Sequence, residues 1–415
     1  MVIGNGWSWI TNKISDKLRF EHFGRSVIQV VRQFGRNVAV IGVFFIKSRR
    51  LYLFKFFLIS LVLMNCPIWA QAGPLRGIYV SSHAIGQGRS DSLVSELLVA
   101  GGNAIVFDVK DRRGRLSYES KVPLALEMGA SQWRTLDDPV ATIKRWQDMG
   151  IYVIARMTCF YDLLLAGYRP EWVPRSRAGG LWGEEEGLPN WVDPSVTDAQ
   201  DYLIELAIEV SSMGVDEIQL DYVRFPTEGN LNDAIFLCET KMQTKDVVIT
   251  NFVRDVRSVL RPKGVRLSVD IFGVTAWGQK IDALRLGQSV KDLLKHVDAV
   301  SPMLYPSHFG SGFGNIPKPV DFPHFLVNRG CERLRELAAS SGVDVRPWLQ
   351  AFDHLVSDFN STFITEQMHG AEEGGAYGWL LWNSASQYVE GFDAIHKMIK
   401  GNTITLSDLA RNPHH

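Results

Sequence analysis

Cysteine is scarce in this chain: its 415 residues include four, and only Cys159, Cys238 and Cys331 lie beyond residue 72. An odd number of thiols cannot all pair, which excludes a fold held together mainly by disulfides. The spacing of the cysteines matches no zinc site, and the histidines do not converge as a metal-dependent hydrolase requires. We therefore expect a protein without a metal ion or another cofactor.

Two further signals are missing. No Gly-x-Gly-x-x-Gly fingerprint follows the first predicted strand, where Gly86-Gln87-Gly88 lacks the third glycine. The sequence therefore lacks the usual signature of a dinucleotide-binding fold. No linker rich in serine, proline or glycine divides the chain after residue 72. The length that remains is compatible with one large α/β domain.

The N-terminal region contains an apolar run that is too short to span a bilayer comfortably. A basic segment, residues 47–55, precedes the run Phe56–Met64, and an Ala-Gln-Ala tripeptide at residues 70–72 follows it, as at a cleavage site. We predict that residues 1–72 are an N-terminal extension and a secretory signal peptide, which would make the protein secreted or periplasmic. The alternative is an uncleaved anchor that attaches the protein to the membrane, facing the periplasm.

Charge excludes one class of partner. Residues 73–415 carry 34 lysines and arginines against 43 aspartates and glutamates. An acidic domain of this kind is a poor match for nucleic acid. The polar segment 403–415 is expected to be a flexible tail.

Strand-like and helix-like segments alternate about eight times after residue 72, which predicts a parallel sheet. Eight β/α units suit a closed barrel better than an open sheet. We predict a single (β/α)8 barrel of the α/β class over residues 73–402, with loop insertions. The predicted strands are Leu75–Ser81, Ala104–Lys110, Ile151–Thr158, the start of Val215–Pro226, Val265–Phe272, Val297–Tyr305, Val345–Ala351 and Ala376–Asn383.

The fourth of these segments ends in a carboxylate, Asp221, followed by Arg224. Chemistry in a barrel of this kind lies at the C-terminal ends of its strands. Alternation along the strands places Asp108, Arg156 and Asp270 inward at the same rim as Asp221. Charges buried together in this way are costly unless they pair or serve a function, so the rim is our candidate site.

Paired carboxyl groups are the machinery of glycoside hydrolysis, since one donates a proton while the other attacks the sugar or activates water. Asp221 and Asp270, on adjacent strands, are the simplest pair, with Asp108 as the alternative partner or an auxiliary carboxylate. Arg156 and Arg224 could keep Asp221 ionised, which favours Asp221 as nucleophile or base and Asp270 as general acid.

Other polar and aromatic side chains at the strand ends suit a sugar substrate, because the C–H faces of sugar rings stack on flat apolar surfaces. Trp182 and Trp191, in a long loop after the third strand, are also candidates for such stacking. The predicted substrate-binding residues are Arg156, Arg224, Tyr305, His308, Trp348, Gln350, Trp382 and Asn383.

Several segments, in order along the chain, resemble a bacterial family of glycoside-hydrolase-like TIM-barrel proteins long catalogued as a domain of unknown function. The resemblance covers about Leu75 to Lys400. It implies a barrel and a carbohydrate-active role, without a substrate. The segments that carry it are Gly77–Val80, Val106–Asp111, Gly150–Arg156, Asp216–Pro226, Ser301–His308, Arg346–Gln350 and Gly378–Asn383.

The fourth segment also sets this chain apart from chitinases. Their fourth strand ends in Asp-x-Glu, and this pattern aligns on Asp221 but places Val223 at the position of the acid. The second carboxyl group must therefore come from another strand.

Two functions remain open from the sequence. The leading hypothesis is a glycoside hydrolase that cleaves a polysaccharide or oligosaccharide with paired carboxylates. The alternative is a non-catalytic, carbohydrate-binding barrel of the cell envelope. Both predict a carbohydrate partner, and neither predicts an oligomeric state.

Overall fold

The computed structural model describes residues 73–185, 188–278 and 280–401. The predicted signal peptide or anchor and the predicted tail lie outside these residues. Within them, none of the helices combines the length and the apolar character that crossing a bilayer would require.

Eight parallel strands close into a barrel, as the sequence predicts. Each strand pairs with the next along the chain, and the last pairs with the first. The seventh is interrupted at Arg346 and Pro347, where proline has no amide hydrogen to donate. The strands are β1 (Leu75–Val80), β2 (Ala104–Lys110), β3 (Tyr152–Thr158), β4 (Glu217–Asp221), β5 (Arg266–Phe272), β6 (Ala299–Met303), β7 (Asp344–Val345 and Trp348–Gln350) and β8 (Gly378–Trp382).

Helices follow the strands and cover the outside of the barrel. Turns of 3-10 helix connect several of them. The α-helices are Ser82–Gly86, Ser90–Ala100, Pro123–Glu127, Pro139–Asp148, Leu163–Tyr168, Thr197–Ser211, Leu237–Thr240, Lys245–Leu260, Lys280–Leu286, Val290–Leu293, Pro323–Ala338, Ser361–Glu373 and Val389–Gly401.

The sequence explains where these helices form and which face they bury. In the helix Lys245–Leu260, the buried residues Val248, Phe252 and Val256 recur at the helical period and pack into the core. Asp138 caps the helix Pro139–Asp148 by accepting a hydrogen bond from the Ala141 amide at 2.9 Å.

The barrel closes where β8 meets β1. Gly378 has φ of +94°, and a Cβ atom there would lie 2.0 Å from the backbone oxygen of Leu75. Only glycine can adopt this backbone so close to the neighbouring strand. The position therefore explains why β8 begins with a glycine.

The two faces of the strands have different surroundings. Outward residues such as Ile218, Leu220 and Val269 belong to the large apolar core beneath the helices. Inward residues are often polar: Glu217 on β4 pairs with Arg346 at 2.5 Å, and both side chains are fully buried. The barrel interior is thus partly built from compensated charges.

The long loop between β3 and the helix Thr197–Ser211 overturns one expectation. Trp191 is fully buried and Trp182 is 3% exposed, and the Trp182 indole N–H donates to the backbone oxygen of Asn230 at 3.0 Å. Neither ring can stack on a sugar. These two candidates for sugar stacking are instead part of the large apolar core.

The Glu217–Arg346 pair gives a prediction about stability. Replacing Arg346 with Met leaves a buried carboxylate without its cation, so we expect the free energy of unfolding to fall by about 3–5 kcal/mol. Burial opposes ionisation of Glu217, but Arg346 and then Arg266 outweigh it and lower its pKa. This contribution of the pair is therefore present above the pKa of an unfolded glutamate and is lost as the pH falls below it.

Urea denaturation at several pH values tests the pair. The double variant Glu217→Met with Arg346→Met should lose less stability than Arg346→Met alone, since no charge stays unpaired. Lys144→Met is the surface control, because Lys144 and Asp148 are exposed and their loss should change the denaturation midpoint little. Equal losses in the buried single variant and the surface control would contradict the prediction.

Candidate active site

Asp221 lies at the C-terminal end of β4, where the strand stops abruptly. The next residue, Tyr222, has φ of +50°, a left-handed conformation that non-glycine residues seldom adopt. Its amide N–H donates to Asp221 Oδ1 at 2.6 Å. The local backbone thus orients the Asp221 carboxyl group and ends the inward alternation at that residue.

One guanidinium group joins three carboxyl groups at this rim. Arg156 on β3 donates to Asp108 Oδ1 at 2.5 Å, and both its Nε and Nη2 donate to Asp221 Oδ2, the former at 3.1 Å. Its Nε also lies 3.9 Å from Asp270 Oδ2. All four side chains are buried, and the positive charge of Arg156 offsets the repulsion and the lost hydration of the three acids.

Asp270 on β5 is the carboxyl group in the least favourable place for a charge. It is 2% exposed, and burial and then the neighbouring Asp221 raise its pKa well above the ordinary aspartate range. Its Oδ1 accepts a hydrogen bond from the Trp348 indole at 2.8 Å. Asp270 therefore holds a proton to higher pH than an ordinary aspartate does.

The separation of Asp221 and Asp270 is compatible with attack on a glycosidic bond. Because both Oδ2 atoms lie near the same Arg156 Nε, at 3.1 and 3.9 Å, they are within about 7 Å of each other. Retaining glycosidases place their carboxyl groups about 5–5.5 Å apart and inverting ones about 6.5–9.5 Å apart.

Asp108 takes a different role from the other two acids. The Tyr79 hydroxyl donates to Asp108 Oδ2 at 2.5 Å while Arg156 binds the other oxygen. Burial raises the pKa of Asp108, although Arg156 opposes the shift. Asp108 is not among the residues that line the cavity described next, and its side-chain contacts are with Tyr79 and Arg156.

A cavity of about 760 Å³ opens above the acids, lined by residues of β3 to β8 and the loops that follow. Trp348 forms part of the wall, and Trp382 stacks on Tyr79 with 4.2 Å between ring centroids. The predicted site residues that line this cavity are Arg156, Asp221, Arg224, Asp270, Tyr305, His308, Trp348 and Trp382.

Gln350 and Asn383 do not line the cavity, contrary to the substrate contacts predicted for them. The Gln350 amide accepts from the Ser307 backbone at 3.0 Å and donates to the backbone oxygens of Phe352 and His354. Asn383 donates to the Ala351 oxygen at 2.7 Å. Both amides position loops, because the buried backbone there needs partners.

Several residues of the cavity wall escaped the sequence analysis, namely Glu228, His354 and Arg285. Each belongs to a loop or a helix beyond the strand end, where strand alternation no longer applies. His354 lies 6.2 Å from His308 between ring centroids, and partial enclosure together with His354 lowers the pKa of His308. A scan of the loops after each strand would have included Glu228 and His354.

Metal ligands do not gather at this rim or elsewhere in the described ranges. No three or more histidine, cysteine, aspartate or glutamate side chains there are arranged to hold a metal ion.

Comparison with known proteins places the chain in a family. The model of the domain family DUF4015, described as "Putative glycosyl hydrolase domain", matches residues 77–388. The chain belongs to this family. The match contains all eight barrel strands except the first two residues of β1, and it includes every residue of the carboxyl cluster.

Solved structures show where the same fold recurs. The PgaB (BpsB) glycoside hydrolase domain from Bordetella bronchiseptica is 12% identical, with a TM-score of 0.57 over 78% of this chain and 99% of that one. Alpha-L-fucosidase isoenzyme 2 from Paenibacillus thiaminolyticus is 16% identical, with a TM-score of 0.54 over 79% of this chain and 49% of that one. At these identities the likeness concerns the fold alone.

One solved structure is more similar in sequence. A hypothetical protein from Ruminiclostridium thermocellum ATCC 27405 is 34% identical, with a TM-score of 0.42 over 46% of this chain and 96% of that one. No protein with a curated function matches the chain.

Arg156 gives a second prediction about stability, with a sign that depends on pH. In Arg156→Met, Asp108 and Asp221 lose their cation; Arg156 now opposes the rise that burial causes in the pKa of Asp108, so the folded-state pKa of Asp108 should rise further. Stability should then fall as the pH increases, by about 3–5 kcal/mol relative to the wild type at neutral pH. Urea unfolding from pH 4 to pH 8 measures this change, and a loss that does not grow with pH would contradict it.

Proposed function

We propose that this protein is a glycoside hydrolase in which Asp270 is the general acid and Asp221 is the nucleophile or the base. The observation that carries the proposal is the pair of carboxyl groups held by one guanidinium in opposite electrostatic situations. Arg156 stabilises a negative charge on Asp221, whereas burial favours a proton on Asp270.

This division suits the reaction. The leaving glycosidic oxygen needs a proton from an acid whose pKa lies above the ordinary range, and burial raises the pKa of Asp270 in that direction. The oxocarbenium-like sugar needs an anion or an activated water on its other face, and Asp221 lies within about 7 Å of the acid. Membership of a family described as a glycosyl hydrolase domain supports the reaction class.

The substrate would enter the open cavity above the acids. Tyr305 and Trp382 give the wall apolar, aromatic surface beside the carboxyl pair. The volume of about 760 Å³ falls in the range of small-molecule sites, and is large enough for a short oligosaccharide segment. We therefore propose a polysaccharide or an oligosaccharide as the substrate.

Conservative variants of the two acids test the proposal. Asp270→Asn cannot donate a proton, and Asp221→Asn cannot attack or accept one, so each should lower kcat about 10²- to 10⁴-fold against a panel of polysaccharides. Asp353→Asn is the matched control, because Asp353 is an exposed aspartate after β7 that does not line the cavity.

The assay should follow released reducing ends, with circular dichroism to show that each variant folds. Full activity in folded Asp221→Asn or Asp270→Asn would overturn the assignment. Binding of glycans by the wild type without any cleavage would favour a carbohydrate-binding barrel instead.

The raised pKa of Asp270 predicts the shape of the pH–rate profile. Since the acid must be protonated, kcat/KM should fall on the alkaline side, at a pH well above the ordinary pKa of an aspartate. The Trp348 N–H bonds the ionised form, so Trp348→Phe should raise the pKa of Asp270 and move the alkaline limb to higher pH. The pH–rate profiles of the wild type and of Trp348→Phe, measured in parallel, test this prediction. An alkaline limb that stays in place or moves to lower pH would contradict it.

A further inference from the structure

Arg224 is an unusual cation in the wall of the cavity. It is 9% exposed and lies three residues beyond Asp221, after the left-handed turn at Tyr222. Its guanidinium lies 4.4 Å from the ring centroid of Phe272, 4.8 Å from that of Trp191 and 5.3 Å from that of Tyr222. Three aromatic rings therefore fix its position.

The charge of Arg224 has no carboxylate partner within the described residues. Nη1 donates to the backbone oxygen of Phe225 at 3.0 Å and, at 3.5 Å, to the Thr227 hydroxyl. No ion pair within 4.0 Å is formed with any acid of the described ranges. Burial lowers the pKa of Arg224, as expected for a cation whose lost hydration has not been replaced.

The other buried cations in the described part of the chain are paired. Lys110 lies 2.7 Å from Asp162, and Arg346 lies 2.5 Å from Glu217. Arg156 binds Asp108 and Asp221. Buried charges are normally compensated, so Arg224 stands out among the buried cations of the described residues as the one that forms no ion pair within 4.0 Å. Asp221, Glu184 and Glu228 favour its charge only from longer distances.

The free N–H groups of Arg224 open onto the cavity. Arg224 lines the cavity, and only its Nη1 has a hydrogen-bond acceptor in the protein. Its other nitrogens are not buried, so a ligand in the cavity can reach them. A guanidinium presents paired donors that match the two oxygens of a carboxylate, sulfate or phosphate.

A second arginine lies on the same wall. Arg285, at the end of the helix Lys280–Leu286, is exposed and also lines the cavity. The Phe225 amide bonds the Leu286 backbone oxygen at 2.8 Å, which ties that helix to the loop of Arg224. The acids of the wall are Asp221, which Arg156 already binds, Asp270 and the exposed Glu228.

We propose that the substrate is an acidic glycan and that Arg224 binds an anionic group on it, a carboxylate, sulfate or phosphate, with Arg285 assisting at the rim. This inference rests on the proposed glycoside hydrolase function, whose catalytic pair lines the same cavity. The anionic group supplies the ion-pair partner that Arg224 lacks among the described residues. The protein as a whole would then select acidic over neutral chains although its barrel domain is itself acidic.

Binding to the full-length Asp270→Asn variant tests this separately from catalysis. The probes are a glucuronate-containing oligosaccharide, the same oligosaccharide with its carboxyl groups reduced to hydroxymethyl groups, and neutral oligosaccharides carrying a sulfate or a phosphate. Titration calorimetry should give tighter binding of the matching anionic probe by roughly 10- to 100-fold, as for hydrogen bonds to a charged group. The probe that binds tightest identifies the anionic group.

Second substitutions in the Asp270→Asn protein show which residues cause the preference for the anionic probe. Arg224→Gln should remove the preference for the anionic probe and leave the neutral one bound within about twofold, while Arg224→Lys should retain part of the preference. Glu228→Gln should strengthen anion binding, because it removes a like charge from the wall. Arg254→Gln, which changes an exposed arginine outside the cavity, should change neither affinity.

Equal affinity for the acidic and reduced probes while Arg224 is intact would overturn the inference, as would binding of neither. That comparison holds even if Arg224→Gln does not fold. If the acidic probe is preferred but the wild-type protein cleaves nothing, the proposed hydrolase function fails and the anion site stands. If neutral glycans alone are bound and cleaved, the hydrolase stands and the anion site fails.

Discussion

The mouth of this barrel depends on the Arg156 guanidinium. Three carboxyl groups from three different strands converge there, and without a cation their mutual repulsion and the loss of water would oppose a folded rim. The contacts of Arg156 with the three acids differ. Arg156 donates hydrogen bonds to Asp108 and Asp221 but lies 3.9 Å from Asp270, whose pKa is raised by burial and then by Asp221.

Arginine–carboxylate ion pairs occur at two levels along the barrel axis. Deeper in the interior, Glu217 and Arg346 form a closed pair with no exposure, and Tyr152 donates to the free Glu217 oxygen at 3.1 Å. Neither side chain of this pair lines the cavity at the rim. At the rim, the layer of Arg156 opens onto the cavity, and Arg224 beyond it forms no ion pair with an acid of the described residues. Compensation of charge thus becomes less complete from the base of the barrel towards the site, where a substrate can complete it.

Much of this arrangement follows from local patterns. The eight strands were predictable because apolar runs of strand length alternate with helical periods, and every predicted strand overlaps an observed one. Asp108, Arg156, Asp221 and Asp270 were predictable as neighbours because inward residues at the ends of parallel strands share one rim. Gln350 and Asn383 also lie at strand ends, yet they do not line the cavity. Their side-chain amides instead donate hydrogen bonds to nearby backbone oxygens. Trp182 and Trp191 show the limit for loops, where no periodicity tells a buried ring from an exposed one.

The sequence by itself determined the barrel, the set of acids and the strand that each occupies, because these depend on alternation along single segments. Only the tertiary structure decided how differently the acids are placed, since Arg156 donates to Asp108 and Asp221 but not to Asp270, and the deep burial of Asp270 raises its pKa. It also decided that Arg224 is set apart from the other buried cations. Ion pairing joins residues that are far apart in the chain, and no local pattern records whether a buried cation has found its partner.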